Sequence, residues 1–347
     1  MYKVTIAIPI YNTQDFIKDS LLSALNQTFK SIEYLLIDDK GNDNSINIVH
    51  ELIDTHDRGK DIRIVTHEKN MGIAHVRNTA LKEAKGDYFF FLDSDDTIKE
   101  DCIELLYNKM TEHPVDFVAA SYQKINEKEQ IIESVIYPDI IIEGKNKVAE
   151  YYFKDFKYVS ISITVWNKLY KLSFLREKQI EFIPEKINED DLFTFNLVLK
   201  AQSCRLLSES LYKYKIRSNS LTQYNSRSII PIDEIEIHFF THNYRKAESV
   251  KYKKQPFFEQ MVTQIMMDCF NNMAVIISKK KIISEKIPQK KIKDALDYPI
   301  SFGEICAFKY NKTLNILLLV FSKLPFWIEV IILKLYITLL SFYRRIR

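Results

Sequence analysis

Hydrophobic positions in the first part of the chain fall into short apolar runs separated by helical patterns. Val4–Ile10 and residues 33–37, 62–65, 88–92 and 117–120 read as strands, and residues 15–26, 73–84 and 101–112 together with Ser45–Thr55 read as helices. This alternation predicts a mainly parallel sheet with helices on both faces. In such sheets ligands bind beyond the carboxyl ends of the strands. Three of those ends carry polar groups: Tyr11-Asn12, Asp38-Asp39, and the run Asp93-Ser94-Asp95-Asp96.

The last of these is the most informative. Tyr88-Phe89-Phe90-Phe91-Leu92 is apolar throughout, which suits a strand covered on both faces, and it runs directly into three carboxylates. Crowded carboxylates repel unless a cation or a proton intervenes. Hard oxygen ligands at a strand end point to Mg²⁺ or Mn²⁺ holding a phosphate. The plain alternative is an acidic turn before the next helix. No G-x-G-x-x-G follows the first strand and no G-x-x-x-x-G-K-[ST] occurs, so a phosphate ligand would rely on metal and side chains.

Further on, residues 123–144 alternate in a β manner, and Trp166-Asn167-Lys168-Leu169-Tyr170 follows. Asn188-Glu189-Asp190-Asp191 then opens a helix to about Lys200, its acids matching the helix dipole. Residues 205–207 and 212–216 read as a strand pair, and 217–227 as a polar loop. After Pro231 the pattern is helical, with two amphipathic helices broken at Pro256 and a basic stretch to about Asn311. Residues 1–228 are therefore expected to form the catalytic domain, 229–312 a basic helical region, and 313–347 a pair of amphipathic helices divided at Pro325.

Charge sharpens this division. From Asn243 onward 19 Lys and Arg stand against 8 Asp and Glu, a net +11, which leaves −8 for the preceding residues. An acidic soluble part followed by a basic part suggests an anionic surface as partner. In the tail Lys334, Thr338, Ser341 and Arg345 share one helix face, and Trp327, Ile328, Ile331, Leu335 and Leu339 lie mostly elsewhere. Lys323, Glu329 and Lys334 interrupt the apolar run, which argues against a transmembrane span and for a helix in the membrane interface. Packing of the tail on the protein is the alternative. Glu329 fits the polar stripe poorly. The four cysteines are widely separated, as in a reducing compartment, and the sequence is expected to carry no secretory leader. The expected location is the cytoplasm, peripheral on the inner face of the cell membrane.

Over residues 2–225 the chain resembles the family-2 glycosyltransferases of bacterial surface-polysaccharide synthesis. The resemblance rests on Val4-Thr5-Ile6-Ala7-Ile8-Pro9-Ile10-Tyr11-Asn12, Asp38-Asp39 with Asp43-Asn44-Ser45, Asn70-Met71-Gly72 with Arg77-Asn78, Asp93-Ser94-Asp95-Asp96, and Glu189-Asp190-Asp191-Leu192-Phe193. It implies a GT-A fold: an α/β, mainly parallel sheet flanked by helices with a Rossmann-like nucleotide-binding half. It also implies an inverting, metal-dependent transfer of one sugar from a nucleotide-diphosphate donor, in most cases a UDP-sugar, to a hydroxyl of a growing glycan. A lipid-linked acceptor would account for the tail.

The resemblance also implies roles. Pro9 and Tyr11 would border the base. Asp39 would accept a hydrogen bond from the base, with Asp38 beside it. Arg77 would approach the base or the phosphates, and Asp93 the ribose. Asn70 and Ser94 belong to the same donor motifs. Asp95, in the DXD motif, would ligate Mn²⁺ or Mg²⁺. Asp190 would be the general base, its pKa raised by burial or by Glu189 and Asp191. Trp166 would line the acceptor side or pack in the core. Arg217, Ser218 and Ser220 would cover the diphosphate as a lid or form a solvated loop. His75 reads as a packed or surface residue. Lys40 stands where the family usually has Gly, and the Gln-x-x-Arg-Trp motif of processive synthases is absent.

The rivals are a sugar nucleotidyltransferase, which should show a Gly- and Arg-rich loop after the first strand, and a non-catalytic glycan-binding scaffold of the same fold. The basic half contains no recognisable nucleic-acid module, so nucleic acid is not an expected partner. A homo-oligomer is open.

Overall fold

Apolar strands buried on both faces build the centre of the sheet. In the computed structural model, which describes residues 2–154, 161–183, 189–216 and 229–346, the chain forms two units. The first comprises Met1–Val148 with Ser162–Ser220, the second Ala149–Ile161 with Leu221–Arg347.

In the first unit β1 (Val4–Ile10), β2 (Ile32–Asp38), β3 (Ile62–Thr66) and β4 (Tyr88–Phe91) alternate with helices α1 (Ile17–Leu25), α2 (Ser45–Thr55) and α3 (Ile73–Glu83). These four strands run parallel in the order β3-β2-β1-β4. Ile6, Ile8, Leu35, Leu36, Phe89 and Phe90 are fully buried, so covering both sheet faces supplies most of the hydrophobic driving force here.

Beyond β4 the sheet is mixed, where the alternation predicts mainly parallel pairing. β5 (Thr97–Ile98) and α4 (Cys102–Glu112) lead into β6 (Phe117–Ile125), β7 (Ile131–Val135) and β8 (Ile140–Glu143). Then come α5 (Lys147–Tyr152), β9 (Lys168–Lys171), α6 (Leu172–Glu177), α7 (Glu189–Lys200) and β10 (Ser203–Lys215). β9 is inserted antiparallel between β4 and β6, and β10 returns parallel to β6.

The expected strand pair at 205–207 and 212–216 is one 13-residue strand, β10. Its register against β6 shifts between Leu207 and Ser210 and again between Ser210 and Tyr212, in the gap between the two expected segments. Bulges absorb the residues of that gap without ending the strand. The predicted N-cap Asn188 lies outside the described residues.

The second unit is helical: α8 (Ile232–Ser249), α9 (Phe258–Lys279), α10 (Gln289–Leu296), α11 (Phe302–Cys306), α12 (Lys312–Ser322) and α13 (Phe326–Ile346). The break at Pro256 and the division at Pro325 fall where the sequence puts them, because Pro cannot continue a helix. One apolar core joins Phe239 of α8, Met273 and Ile277 of α9, Ile292 and Leu296 of α10, Phe321 of α12 and Leu333 of α13. Glu329 breaks the polar stripe of α13 because it faces this core: it is buried and accepts from Lys293 Nζ at 2.9 Å. Among the described residues no helix is long and apolar enough to cross a membrane.

α13 packs on the unit along one face and leaves an apolar face exposed. Val330, Leu333, Tyr336 and Ile337 pack against the unit, and the Tyr336 hydroxyl donates to Asn271 Oδ1 at 2.7 Å. Trp327, Ile331, Leu335, Leu339 and Phe342 remain exposed on the same helix, between 48% and 67% of their surface.

Candidate active site

The carboxyl ends of β1, β2 and β4 converge on the polar loops that the sequence singled out. Past β1, Tyr11 is exposed and Asn12 adopts a left-handed conformation (φ 51°). Asn12 Oδ1 accepts from the Asn42 amide at 2.8 Å. A Cβ on Gly41 would lie 2.8 Å from the Asn12 backbone nitrogen, so this close approach of the two loops requires glycine. Pro9 is half-buried in β1, paired in register with Ile37.

Asp38 ends β2 and accepts from the Lys40 amide at 2.9 Å. Lys40 itself is left-handed (φ 56°), which explains why glycine is usual there. Asp39 is buried and organises the loop before α3. Its Oδ1 pairs with His67 Nδ1 at 2.6 Å and accepts from the Met71 amide at 2.9 Å, and its Oδ2 accepts from the Gly72 amide at 2.9 Å. The other nitrogen of His67 meets Thr79 Oγ1 at 2.9 Å. Three partners leave Asp39 little free acceptor capacity. Asn70, in the same loop, is exposed.

The acidic turn between β4 and β5 differentiates its members. The Asp96 amide donates to the Asp93 carbonyl at 3.1 Å, closing the turn. Asp96 is fully buried and accepts from the Tyr212 hydroxyl and the Lys215 amide, both at 2.8 Å. Burial raises its pKa well above the usual carboxylate range, and Asp95 and Asp93 raise it further. Asp96 thus anchors β10. Ser94 is buried, Asp93 and Asp95 half-buried.

The first turn of α7 meets this turn through Arg77 of α3. Nη1 of Arg77 donates to Glu189 Oε1 at 2.8 Å and to Asp190, and Nη2 donates to Asp93 Oδ1 at 2.9 Å. Burial disfavours the guanidinium charge, yet Asp190, Asp93 and Glu189 outweigh it and raise the Arg77 pKa. Burial pushes Asp190 up to about 7, against the lowering effect of Arg77 and with Glu189 and Asp93 adding to the rise. Burial raises Glu189 as well. Asp191 is half-buried.

Trp166 is buried, stacked on Tyr212 at 4.2 Å and on Tyr214 at 5.5 Å. Arg217, Ser218 and Ser220 lie outside the described residues. His75 is half-buried.

Sequence reasoning missed several supporting groups. Lys168 is fully buried and donates to the Ser162 carbonyl at 3.0 Å, to Asn167 Oδ1 at 2.8 Å and to the Thr164 carbonyl. Burial lowers its pKa to about 7. Nothing local marks a Lys as buried. His67 follows the end of β3 and was open to the same strand-end reasoning as the acidic clusters. Tyr212 gives no local signal.

Among the described residues no group of three His, Cys, Asp or Glu side chains is arranged to hold a metal. Mg²⁺ in nucleotide-using enzymes is held by one or two carboxylates plus substrate phosphates. Asp95, the expected ligand, is a half-buried carboxylate in the acidic turn, which is compatible with a site of that kind.

The model of glycosyl transferase family 2 matches residues 5–210. Glycosyltransferase GlyA of Streptococcus pneumoniae is 31% identical over 226 residues, 64% of this chain and 32% of GlyA. The putative glycosyltransferase EpsH of Bacillus subtilis is 29% identical over 63% of this chain and 62% of its own. The poly(ribitol-phosphate) beta-N-acetylglucosaminyltransferase TarP of Staphylococcus aureus is 30% identical over 66% of this chain and 67% of TarP. The chain thus spans about a third of GlyA and under two thirds of EpsH. The crystal structure of residues 1–349 of S. aureus TarS with UDP-GlcNAc superposes with a TM-score of 0.63 at 19% identity, covering 92% of this chain and 90% of that one. The shared architecture is the GT-A type: a mixed sheet flanked by helices, followed by a helical region.

Proposed function

Since the chain belongs to glycosyl transferase family 2, we propose that it is an inverting transferase moving one sugar from a UDP-sugar to a hydroxyl of a growing surface glycan. The observation that carries this reading is the meeting of Asp190 with the acidic turn through Arg77. A buried carboxylate near neutrality suits a general base, and it lies beside the turn assigned to the donor. The complexes of TarS with UDP-GlcNAc and with UDP support UDP as the nucleotide.

In this reading Pro9, Tyr11 and the β2 end surround the base. Asp39 acts by shaping the loop that carries Asn70 and Gly72. Asp93 and Ser94 meet the ribose. Asp95 would hold Mn²⁺ or Mg²⁺, and the ion would supply charge stabilisation of the leaving group. Asp190 takes the proton of the acceptor hydroxyl as C1 becomes electrophilic.

The exposed apolar stripe of α13 and the net positive charge after Asn243 support a membrane surface as second partner, with a lipid-linked acceptor. Peripheral attachment at the inner membrane face is part of the same proposal.

Thermal shift tests the donor assignment. UDP and UDP-GlcNAc with Mn²⁺ should raise the melting temperature; ligand at a hundred times its Kd stabilises by about 2.7 kcal/mol. Asp95→Ala should abolish the Mn²⁺-dependent part of that shift. No shift with any UDP-sugar would overturn the reading.

A further inference from the structure

Arg77 holds three carboxylates from two distant places in the chain. Asp93 lies 16 residues from it, on the acidic turn, and Asp190 lies 113 residues away, at the start of α7. The rings of Phe91 and Phe182 flank the guanidinium, with centroids 5.9 and 5.4 Å from its carbon. Aromatic faces on a planar cation limit its tilt and add cation–π attraction. Phe182 is itself fixed by a reciprocal pair with Asn78, one turn of whose helix also carries Arg77: Asn78 Nδ2 donates to the Phe182 carbonyl at 2.7 Å, and the Phe182 amide donates to Asn78 Oδ1 at 2.8 Å. The fork therefore has one direction in which to point.

We propose that Arg77 is a positioning residue that ties the base Asp190 to Asp93 of the donor turn and fixes the direction in which the base carboxylate points. Ordering of the donor turn and aiming of the base are then one event. This rests on Asp190 being the base, as proposed above.

The groups facing Asp190 come from every neighbouring element. Arg77 of α3 contacts it, Glu189 precedes it on α7, and Asp93 approaches from the acidic turn. Lys168 and Tyr170 face it from β9. Lys168 is committed to Ser162, Thr164 and Asn167, so it does not replace Arg77. Without the guanidinium, Asp93, Glu189 and Asp190 would face one another with no cation in contact. Losing an opposite charge at contact distance raises a carboxylate pKa by about one to three units.

The test is an infrared pH titration of the Asp190 carboxyl in the full chain, its band identified by its absence in Asp190→Asn. UDP release from UDP-GlcNAc with Mn²⁺ is measured alongside. In Arg77→Gln the Asp190 midpoint should move up by about one to three pH units. In Arg77→Lys, which keeps the charge and loses the fork, the midpoint should stay near wild type while UDP release falls about tenfold to a hundredfold. An unmoved midpoint in folded Arg77→Gln, or full UDP release by Arg77→Lys, overturns the proposal. Should Arg77→Gln not fold, Arg77→Lys decides alone. Undiminished UDP release by Asp190→Asn would instead remove the base assignment, and the two failures are separable on that variant.

Discussion

The phenol of Tyr212 binds the acidic turn at two points: its oxygen donates to Asp96 Oδ2 at 2.8 Å and accepts from the Asp93 amide at 3.3 Å. β10 thereby fixes a turn whose own strand ends at Phe91. Tyr212→Phe leaves the buried Asp96 short of a partner, which costs about 1–3 kcal/mol. Urea unfolding should show that loss, and donor affinity should fall with it because the turn loses an anchor.

Lys40 carries a local cost in the loop after β2. An L side chain at φ 56° is disfavoured by roughly 1–2 kcal/mol, part of which glycine returns through its greater unfolded-state entropy. Lys40→Gly should therefore stabilise the protein by about 0.5–1 kcal/mol in urea unfolding. The Asp38 contact to this residue uses the backbone amide and survives the change.

Much of the first unit was legible because its strands are apolar on both faces and its helices have clear periodicity. Val4–Ile10 and Ser45–Thr55 coincide with the predicted elements. The mixed half was not, because β9 enters the sheet from a segment whose Lys168 is buried and whose pairing with β4 and β6 is long-range. Asp96 has no role in the sequence reading, since only the tertiary contact with Tyr212 shows what it does. Glu329 was legible as a misfit, and Lys293 supplies the reason.

Asp190 makes activity and stability run in opposite directions with pH. The base must be ionised, so UDP release from the donor should fall as pH drops through about 7. Its folded pKa is raised above the ordinary value of 3.8, so the folded state binds the extra proton. The contribution of this group to stability is fully present below 3.8 and is lost as pH rises through about 7. Paired pH profiles of UDP release and of urea unfolding check this, with Asp190→Asn removing this group's share of both dependences.

The stripe on α13 can be removed without disturbing the core, which truncation cannot do. Deleting residues 314–347 would strip Leu318, Leu319, Phe321 and Leu333 from buried positions. Trp327, Leu335 and Leu339 are exposed, so their joint replacement by Ser should leave the melting temperature nearly unchanged. Sedimentation with phosphatidylglycerol-containing vesicles should then show at least about a tenfold loss of binding, since each buried apolar side chain contributes on the order of 1.5 kcal/mol or more. Undiminished sedimentation would exclude the stripe as the membrane contact.

The most direct measurement is UDP release from UDP-GlcNAc with Mn²⁺ by wild type and by Asp190→Asn, with donor affinity measured on both. Wild type should turn the donor over, and Asp190→Asn should bind it with the same Kd yet release UDP about a hundredfold or more slower, the usual loss of a general base. Release at the wild-type rate by Asp190→Asn would contradict it.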